Sequence, residues 1–449
     1  MNEMNPRTRI WSLADGLFWL ALILSPVQIF TVQTFGFYPS LAVLCAWMLF
    51  PFSLASIMRV RREHLGPILS LLCLLIAQAI SLLWSNDLHL GIRTLLYECV
   101  FVSLFTYATA HPARIASRFE IYIVMFLVLA GAQAVLVILF RLSPALESAF
   151  WEQPIARIFI NPNTLSEWSG EAKNNVWSVA KSGGFFNNAN VGAIFCGVCY
   201  WFTRYFSTIK RSVAPRCASY LFVVSVCCSG SKFAIPLLVF FLSASLIVKR
   251  ARRCSSIHLG TALLCLVALT ATDARKDSLP PLAKVDERSF SERIGGTSSI
   301  RLEWWKMAGE VIASHPIKGA GFGGWEAYFS TNENPRKVHL SSYPPHNTYL
   351  HVWVQSGLMA LVPVLVFLFL FLKASLRLWR TCRTALFLAF AAACCFVHSA
   401  ITNCFFFGEE HIMPLMALST ALLFAGLPLP VERKLRDPSA SLGIGPSEG

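Results

Sequence analysis

The chain has 449 residues, of which 55% are hydrophobic and only 14% are charged, and its formal net charge is +14. Soluble globular proteins carry about 25% charged residues, so this composition excludes an ordinary soluble domain. The basic residues stand in short clusters between apolar segments, which is typical of membrane proteins rather than of nucleic-acid-binding proteins. We therefore expect a membrane lipid environment and no nucleic-acid partner.

Twelve apolar segments are candidates to cross a membrane as helices, for which about 20 residues suffice. They lie at residues 11–32, 37–58, 66–84, 90–110, 119–140, 186–206, 217–231, 233–248, 257–272, 347–372, 384–403 and 411–427. The sequence thus predicts an all-α polytopic membrane protein with about twelve transmembrane helices. Residues 1–449 form a single integral membrane domain in this interpretation.

Lysine and arginine are concentrated before the first span, after every second span and at the end of the chain. The positive-inside rule then puts both termini in the cytoplasm. Two long loops fall on the extracytoplasmic side, at residues 142–185 and, between spans nine and ten, at residues 273–346. Loops of this length are usually functional.

The larger loop contains a predicted amphipathic helix at residues 299–314, which ends before Pro316. Its apolar positions recur at helical spacing, and they are Ile300, Trp304, Met307, Ala308, Val311 and Ile312. Trp304 and Trp305 suit a membrane–water boundary, so we expect this helix to lie along the outer interface. An ordinary amphipathic helix without a role in a site is the alternative.

Three glycines after this helix, Gly319, Gly321 and Gly324, fit the pattern G-x-G-x-x-G. The strand and helix of a dinucleotide-binding unit are missing around them, so we expect a tight turn and no nucleotide cofactor. The loop ends at His346, a candidate general base, and Asn347 is expected to cap the helix that follows. A purely structural role for His346 is the alternative.

Several motifs in the second half of the chain resemble the O-antigen ligase family, which also contains O-antigen and exopolysaccharide polymerases. Their order and spacing carry the resemblance across residues 182–361. They are residues 184–190, residues 229–232, Arg301 followed by Trp304 and Trp305, residues 315–323, and His346 with Asn347 and, ten residues later, Gly357. Ala360 departs from the family, where a glycine is usual, and Lys232 stands where many relatives have arginine.

The resemblance implies an enzyme without metal or cofactor that acts at the periplasmic face. Its donor is a glycan on undecaprenyl diphosphate, and its acceptor is lipid A core or a growing polysaccharide. The catalytic residues it implies are His346 and Arg301. The residues expected to bind the diphosphate are Arg301, Arg93 and Lys232, and those expected to support the acceptor or the loop are Asn347, Trp304, Trp305, Gly319 and Gly321.

Ligation to lipid A is favoured over polymerisation, which has the same chemistry and a different acceptor. A transporter or lipid flippase is the alternative outside enzymes, although the two halves of the chain lack the internal similarity typical of transporters. Arg93 could instead snorkel to lipid headgroups. His398 is expected to be a packing residue, whereas Glu409, Glu410 and His411 are expected to form a hydrated loop.

Overall fold

In the computed structural model, the described residues are 6–30, 33, 37–159, 161–162, 181–186, 188–210, 212–247, 252–276, 290–330, 334–341, 344–401 and 409–426. Their secondary structure is helical and contains no β-strand. One isolated bridge joins Phe30 and Ser40 beside the start of the second helix.

Each of the twelve predicted spans coincides with one helix among the described residues. These helices are α1 (Pro6–Leu24), α2 (Leu41–Ser56), α3 (Arg62–Ser81), α4 (Leu88–Ala110), α5 (Pro112–Leu142), α7 (Ala189–Ile209), α8 (Val213–Cys228), α9 (Ala234–Ser245), α10 (Arg252–Lys276), α14 (Thr348–Thr381), α15 (Leu386–Ser399) and α16 (Met413–Ala425). The two long loops hold the remaining helices, which are α6 (Pro144–Glu152), α11 (Phe290–Ser314), α12 (Trp325–Ser330) and α13 (Pro335–Ser341).

Among the described residues, five helices are long and apolar enough to cross a membrane, and most of the others are shorter apolar helices. The five contain α2, α3, α4, α5 and α14. The prediction of an all-α polytopic membrane protein is therefore confirmed. Below, the end of the bundle that carries the two long loops is called the loop end.

The centre of the bundle is formed by helices that are buried on every side. Nearly all residues of α7 and all but the last of α16 are buried against other helices. Because α7 meets protein rather than lipid, it tolerates polar aromatic side chains such as Tyr200 and Trp201, both fully buried. The periphery is different, since α5, α10 and α14 expose large apolar side chains such as Val128, Leu264 and Phe369, as lipid-facing helices do.

A small lobe stands at the loop end, with a core of its own. The stripe predicted for α11 packs there against α12 and the first turns of α14, through Met307, Ala308, Val311, Trp325, Phe329 and Val354. The helix extends nine residues further towards its N-terminus than predicted, beginning at Phe290 rather than at 299. Ile300 departs from the predicted stripe, because it is 40% exposed.

Helix α14 is interrupted at Gly357, whose φ of 67° and ψ of −165° are not helical. Before the break, Tyr349 donates a hydrogen bond to the carbonyl of Phe396 on α15 (2.8 Å). At the break, the hydroxyls of Ser356 and of Ser81 on α3 are 2.7 Å apart. Residues 348–356 therefore bridge the ends of α15 and α3 at the loop end, and the bundle proper begins after the break.

Candidate functional site

The break in α14 is filled by residues 315–324, which we call the docking loop. Its backbone amides at Ala320 and Gly321 donate to the carbonyls of Val354 and Gln355 (2.8 and 2.9 Å). In return, Leu358 donates to the carbonyl of Pro316 (3.1 Å). The loop thus satisfies the backbone groups that the interrupted helix leaves without partners.

Gly319 and Gly321 serve this close approach. Both have positive φ, 68° and 103°, and a Cβ on Gly319 would lie 2.5 Å from the backbone of Gln355. The predicted turn is present, since Gly324 donates to the carbonyl of Gly321 (3.0 Å). The two glycines therefore allow close contact between the main chains of the loop and of α14.

The two tryptophans of α11 hold the segment that leads to His346. Trp304 donates its indole hydrogen to the carbonyl of Leu340 (2.8 Å), and Trp305 donates to that of Pro345 (2.9 Å). The ring of Trp304 also lies against the imidazole of His346, with 4.5 Å between ring centroids. Helix α11 thereby positions His346 in two ways, by hydrogen bonds to the backbone that precedes it and by contact with its ring.

The backbone at His346 is strained. Its φ of 48° lies in the left-handed region, which costs a residue with a Cβ about 1–2 kcal/mol. The next residue caps α14 as predicted, since the side chain of Asn347 accepts hydrogen bonds from the amides of Tyr349 and Leu350 (3.0 and 3.1 Å). The cap at Asn347 and the two tryptophans of α11 together hold the imidazole at the start of α14.

The electrostatics of the site couple His346 to Arg301. Burial and then the Arg301 charge lower the pKa of His346 to about 4, so its imidazole is neutral around pH 7. Burial also lowers the pKa of Arg301, whose Nε has no hydrogen-bond partner within the described residues. The nearest carboxylate on α11, that of Glu303, pairs instead with Arg336 (2.9 Å). A partly desolvated guanidinium in this state is suited to bind an anion.

The structure adds His398 to this pair. It lies near the end of α15, is only 1% exposed, and is close enough to Arg301 to interact with its charge. Its ring also contacts that of Phe233 (5.7 Å between centroids). The sequence suggested only a packing role, because periodicity shows that a histidine lies near a helix end but not which side chain of another element it meets.

Lys232 lies in the connection between α8 and α9. Residues 229–232, called turn B, bend at Gly230, whose φ is 67°. Ser231 donates a hydrogen bond to the side chain of Asn190 on α7 (2.9 Å). Lys232 is exposed and directly precedes Phe233, so the Phe233–His398 contact links turn B to the surroundings of Arg301.

Arg93 is placed elsewhere. It is half-buried on α4, where its charge acts on Tyr97. Among the described residues, no contact joins Arg93 to Arg301 or His346. Its predicted role in the same diphosphate site therefore gains no support from the geometry.

The prediction of a hydrated loop at residues 409–411 was wrong. The side chains of Glu410 and His411 are only 12% and 8% exposed, and the His411 ring stacks on Phe186 (4.6 Å). Burial raises the pKa of Glu409 to about 7. Burial, followed by the charge of Glu409, raises the pKa of Glu410 to about 8. These side chains are buried because Glu410 lies against Tyr97 of α4, and His411 lies against Phe186 and Gln28.

Asn188 caps α7 by accepting from the amide of Asn190 (2.9 Å), whereas Asn187 lies outside the described residues. Within the described part of the chain, no group of three or more His, Cys, Asp or Glu side chains is arranged to hold a metal ion.

Comparison with known protein families finds a match for the part of the chain that carries most of these residues. Residues 217–365 match the model of the O-antigen ligase family. No curated protein matches the chain. The matched segment contains Lys232, Arg301 and His346, and it leaves out Arg93 and His398. The resemblance drawn from the sequence is confirmed for this segment: residues 217–365 of this polytopic membrane protein are similar to the O-antigen ligase family.

Proposed function

We propose that the protein transfers a glycan from undecaprenyl diphosphate to an acceptor hydroxyl, as an O-antigen ligase, and that its loop end faces the periplasm of a bacterial inner membrane. The observation that carries this proposal is the pairing of a neutral His346 with a partly desolvated Arg301 at the start of α14. The two residues offer a base and an anion-stabilising cation side by side, which are the two groups that such a displacement requires.

The reaction is a displacement at the anomeric carbon of the donor sugar. The acceptor oxygen forms the new glycosidic bond while the bond to the diphosphate oxygen breaks, and the diphosphate leaves with the electron pair. His346 takes the hydroxyl proton, for which a neutral imidazole is required. Arg301 stabilises the negative charge that develops on the departing diphosphate.

His398 acts on Arg301 from the opposite element. A buried imidazole beside the guanidinium limits its movement and keeps it away from lipid headgroups. We therefore assign His398 as a positioning residue of Arg301. The lipid-linked donor would approach through the membrane, and the acceptor, lipid A core, would approach from the surface of the lobe.

The test is the glycan profile of the source bacterium after deletion of the gene and after restoration of wild type, His346→Ala or His339→Ala. His339 is an exposed histidine of the same lobe and serves as the matched control. Membrane levels of each variant are measured by immunoblot. Wild type and His339→Ala should restore the profile, and His346→Ala should not.

Loss of all polymer from lipid A, with long chains retained on undecaprenyl diphosphate, identifies a ligase. Single repeat units still attached to lipid A, or loss of an exopolysaccharide, identify a polymerase. Full restoration by His346→Ala would refute the histidine-centred mechanism. A purified protein that moves the lipid-linked glycan between leaflets and forms no glycosidic bond would be a flippase.

A further inference from the structure

Helix α4 carries a carboxyl group inside the transmembrane bundle. Glu98 lies near the middle of this helix, about 15 Å along the axis from its first residue, and it is only 3% exposed. Gln78 of α3 is fully buried, and its side-chain amide donates a hydrogen bond to one carboxyl oxygen of Glu98 (3.0 Å). An ionisable side chain at this depth in a bilayer is costly and is usually functional.

Each of the two side chains has a second oxygen that is buried and lacks a partner. Within the described part of the chain, neither Oε2 of Glu98 nor Oε1 of Gln78 has a hydrogen-bond partner. No lysine, arginine or histidine among the described residues forms an ion pair with Glu98. Both oxygens are acceptors when Glu98 is ionised. The pair therefore requires a positive partner that the described side chains do not supply.

Gln78 lies one helical turn from the break in α14. Ser81 follows Gln78 by three positions on α3, and its hydroxyl donates to the Gln78 carbonyl (2.8 Å). The same hydroxyl is 2.7 Å from that of Ser356, which directly precedes Gly357. The turn of α3 that carries Gln78 is thus attached to the last residue before the break.

A second contact fixes the level of Glu98. Phe101 lies one turn after Glu98 on the same face of α4, and its ring packs edge-on against Phe367 of α14 (6.3 Å between centroids). The pair therefore lies between the Ser81 contact and the Phe101 contact, beside the first turns of α14 after its break. Interrupted membrane helices are places where other membrane proteins coordinate monovalent cations.

The chemistry of the pair favours a metal cation of single charge. Oxygen atoms are the ligands that hard cations prefer, and one carboxylate balances one positive charge. The hydrogen bond that Gln78 donates to the carboxyl group stabilises its ionised form, which is the form that binds a metal cation. A site of this kind needs only one carboxylate, unlike the clusters of three or more that are absent from the described residues.

We propose that Glu98 and Gln78 bind Na+ beside the break in α14, each through its second oxygen. The ion is structural, because it joins α3 and α4 next to the point where α14 resumes. The inference does not depend on the proposed function. Protonation of Glu98 without a metal ion is the competing explanation, and the experiment separates the two.

Binding is measured with radiolabelled Na+, by scintillation proximity on the purified full-length protein in nanodiscs. Glu98→Gln removes the charge and keeps the shape of the side chain. Gln78→Met removes the second oxygen ligand and leaves the carboxylate. Glu120→Gln is the matched control, because the exposed carboxylate of Glu120 on α5 pairs with Lys210.

Wild type and Glu120→Gln should bind Na+, and unlabelled Na+ should displace the label, whereas the bulky cation N-methylglucamine should not. The half-saturating Na+ concentration should rise about tenfold or more in Glu98→Gln, because the ion loses its balancing charge in a medium of low dielectric. Gln78→Met should weaken binding less. Wild-type protein that binds no Na+ would overturn the proposal, as would a folded Glu98→Gln protein with wild-type affinity.

Unfolding in mixed detergent–SDS micelles separates Na+ from a proton. At fixed pH and ionic strength, Na+ in place of N-methylglucamine should raise the wild-type midpoint, because a ligand that binds only the folded state stabilises it. Na+ should leave the midpoint of Glu98→Gln unchanged. A wild-type midpoint that changes with pH but not with Na+ would show a protonated Glu98 and overturn the proposal. If Glu98→Gln does not elute as folded on size exclusion, a Na+ response in Gln78→Met equal to that of wild type would overturn it instead.

Discussion

Gly357 is a position at the loop end where replacement by alanine should strongly destabilise the protein. A Cβ added there would lie 1.9 Å from the carbonyl oxygen of Ile317, and the φ of 67° is unfavourable for alanine. The conformation alone costs about 1 kcal/mol. The docking loop must also move away, which sacrifices the hydrogen bonds that Leu358 and Met359 donate to it (3.1 and 3.4 Å).

Two such bonds contribute about 1 kcal/mol each, so Gly357→Ala should lower the free energy of unfolding by about 3 kcal/mol. Reversible unfolding in mixed detergent–SDS micelles, followed by tryptophan fluorescence, measures this quantity. Glycan transfer should fall as well, because the docking loop fixes residues 348–356 behind His346.

Gly309→Ala is the matched control. Gly309 lies inside α11, and a Cβ there would meet nothing within 4 Å, so alanine should leave stability unchanged or raise it by up to about 1 kcal/mol. If Gly357→Ala unfolds at the same SDS fraction as Gly309→Ala and retains full transfer, the break in α14 does not depend on glycine and the reasoning is refuted.

Two further predictions concern proton transfer and the turn at residues 183–186, which the Gln133 side chain holds by donating to the carbonyl of Gly183 and accepting from the amide of Phe185. Because the pKa of His346 is lowered to about 4, its neutral form is present above that value and is lost as the pH falls through it. In the pH profile of kcat, activity should therefore fall on the acidic side near pH 4. Arg301→Gln should shift this fall to higher pH, because it removes a nearby positive charge. A fall near pH 6.5 in the wild type would contradict this prediction. Gln133→Met should destabilise the protein by about 2 kcal/mol, since the backbone groups of Gly183 and Phe185 lose their partners, and SDS unfolding at the wild-type midpoint would show that this turn holds without Gln133.

Much of the fold could be predicted from the sequence because the bilayer acts on each segment separately. A helix of sufficient apolar length satisfies its own backbone hydrogen bonds wherever its neighbours are, so all twelve predicted segments coincide with helices. The amphipathic stripe of α11 and the helix cap at Asn347 could be predicted for the same reason, because each depends on residues only a few positions apart.

The neighbours of each helix could not be predicted in this way. Arg93 and His398 both lie near helix ends at the loop end, and their sequence surroundings do not separate them. Packing brought His398 close to Arg301, because contacts between helices depend on rotation and tilt, which hydropathy does not fix.

By itself, the sequence determined the membrane class, the helices and the order of the family's motifs, since each depends on local pattern and spacing. Only the tertiary structure decided that Glu410 and His411 are buried and that the glycines serve contact between main chains. It also decided that His398 lies close to Arg301. These features join residues far apart in the chain, and their energies depend on burial and distance, which exist only after the helices have packed.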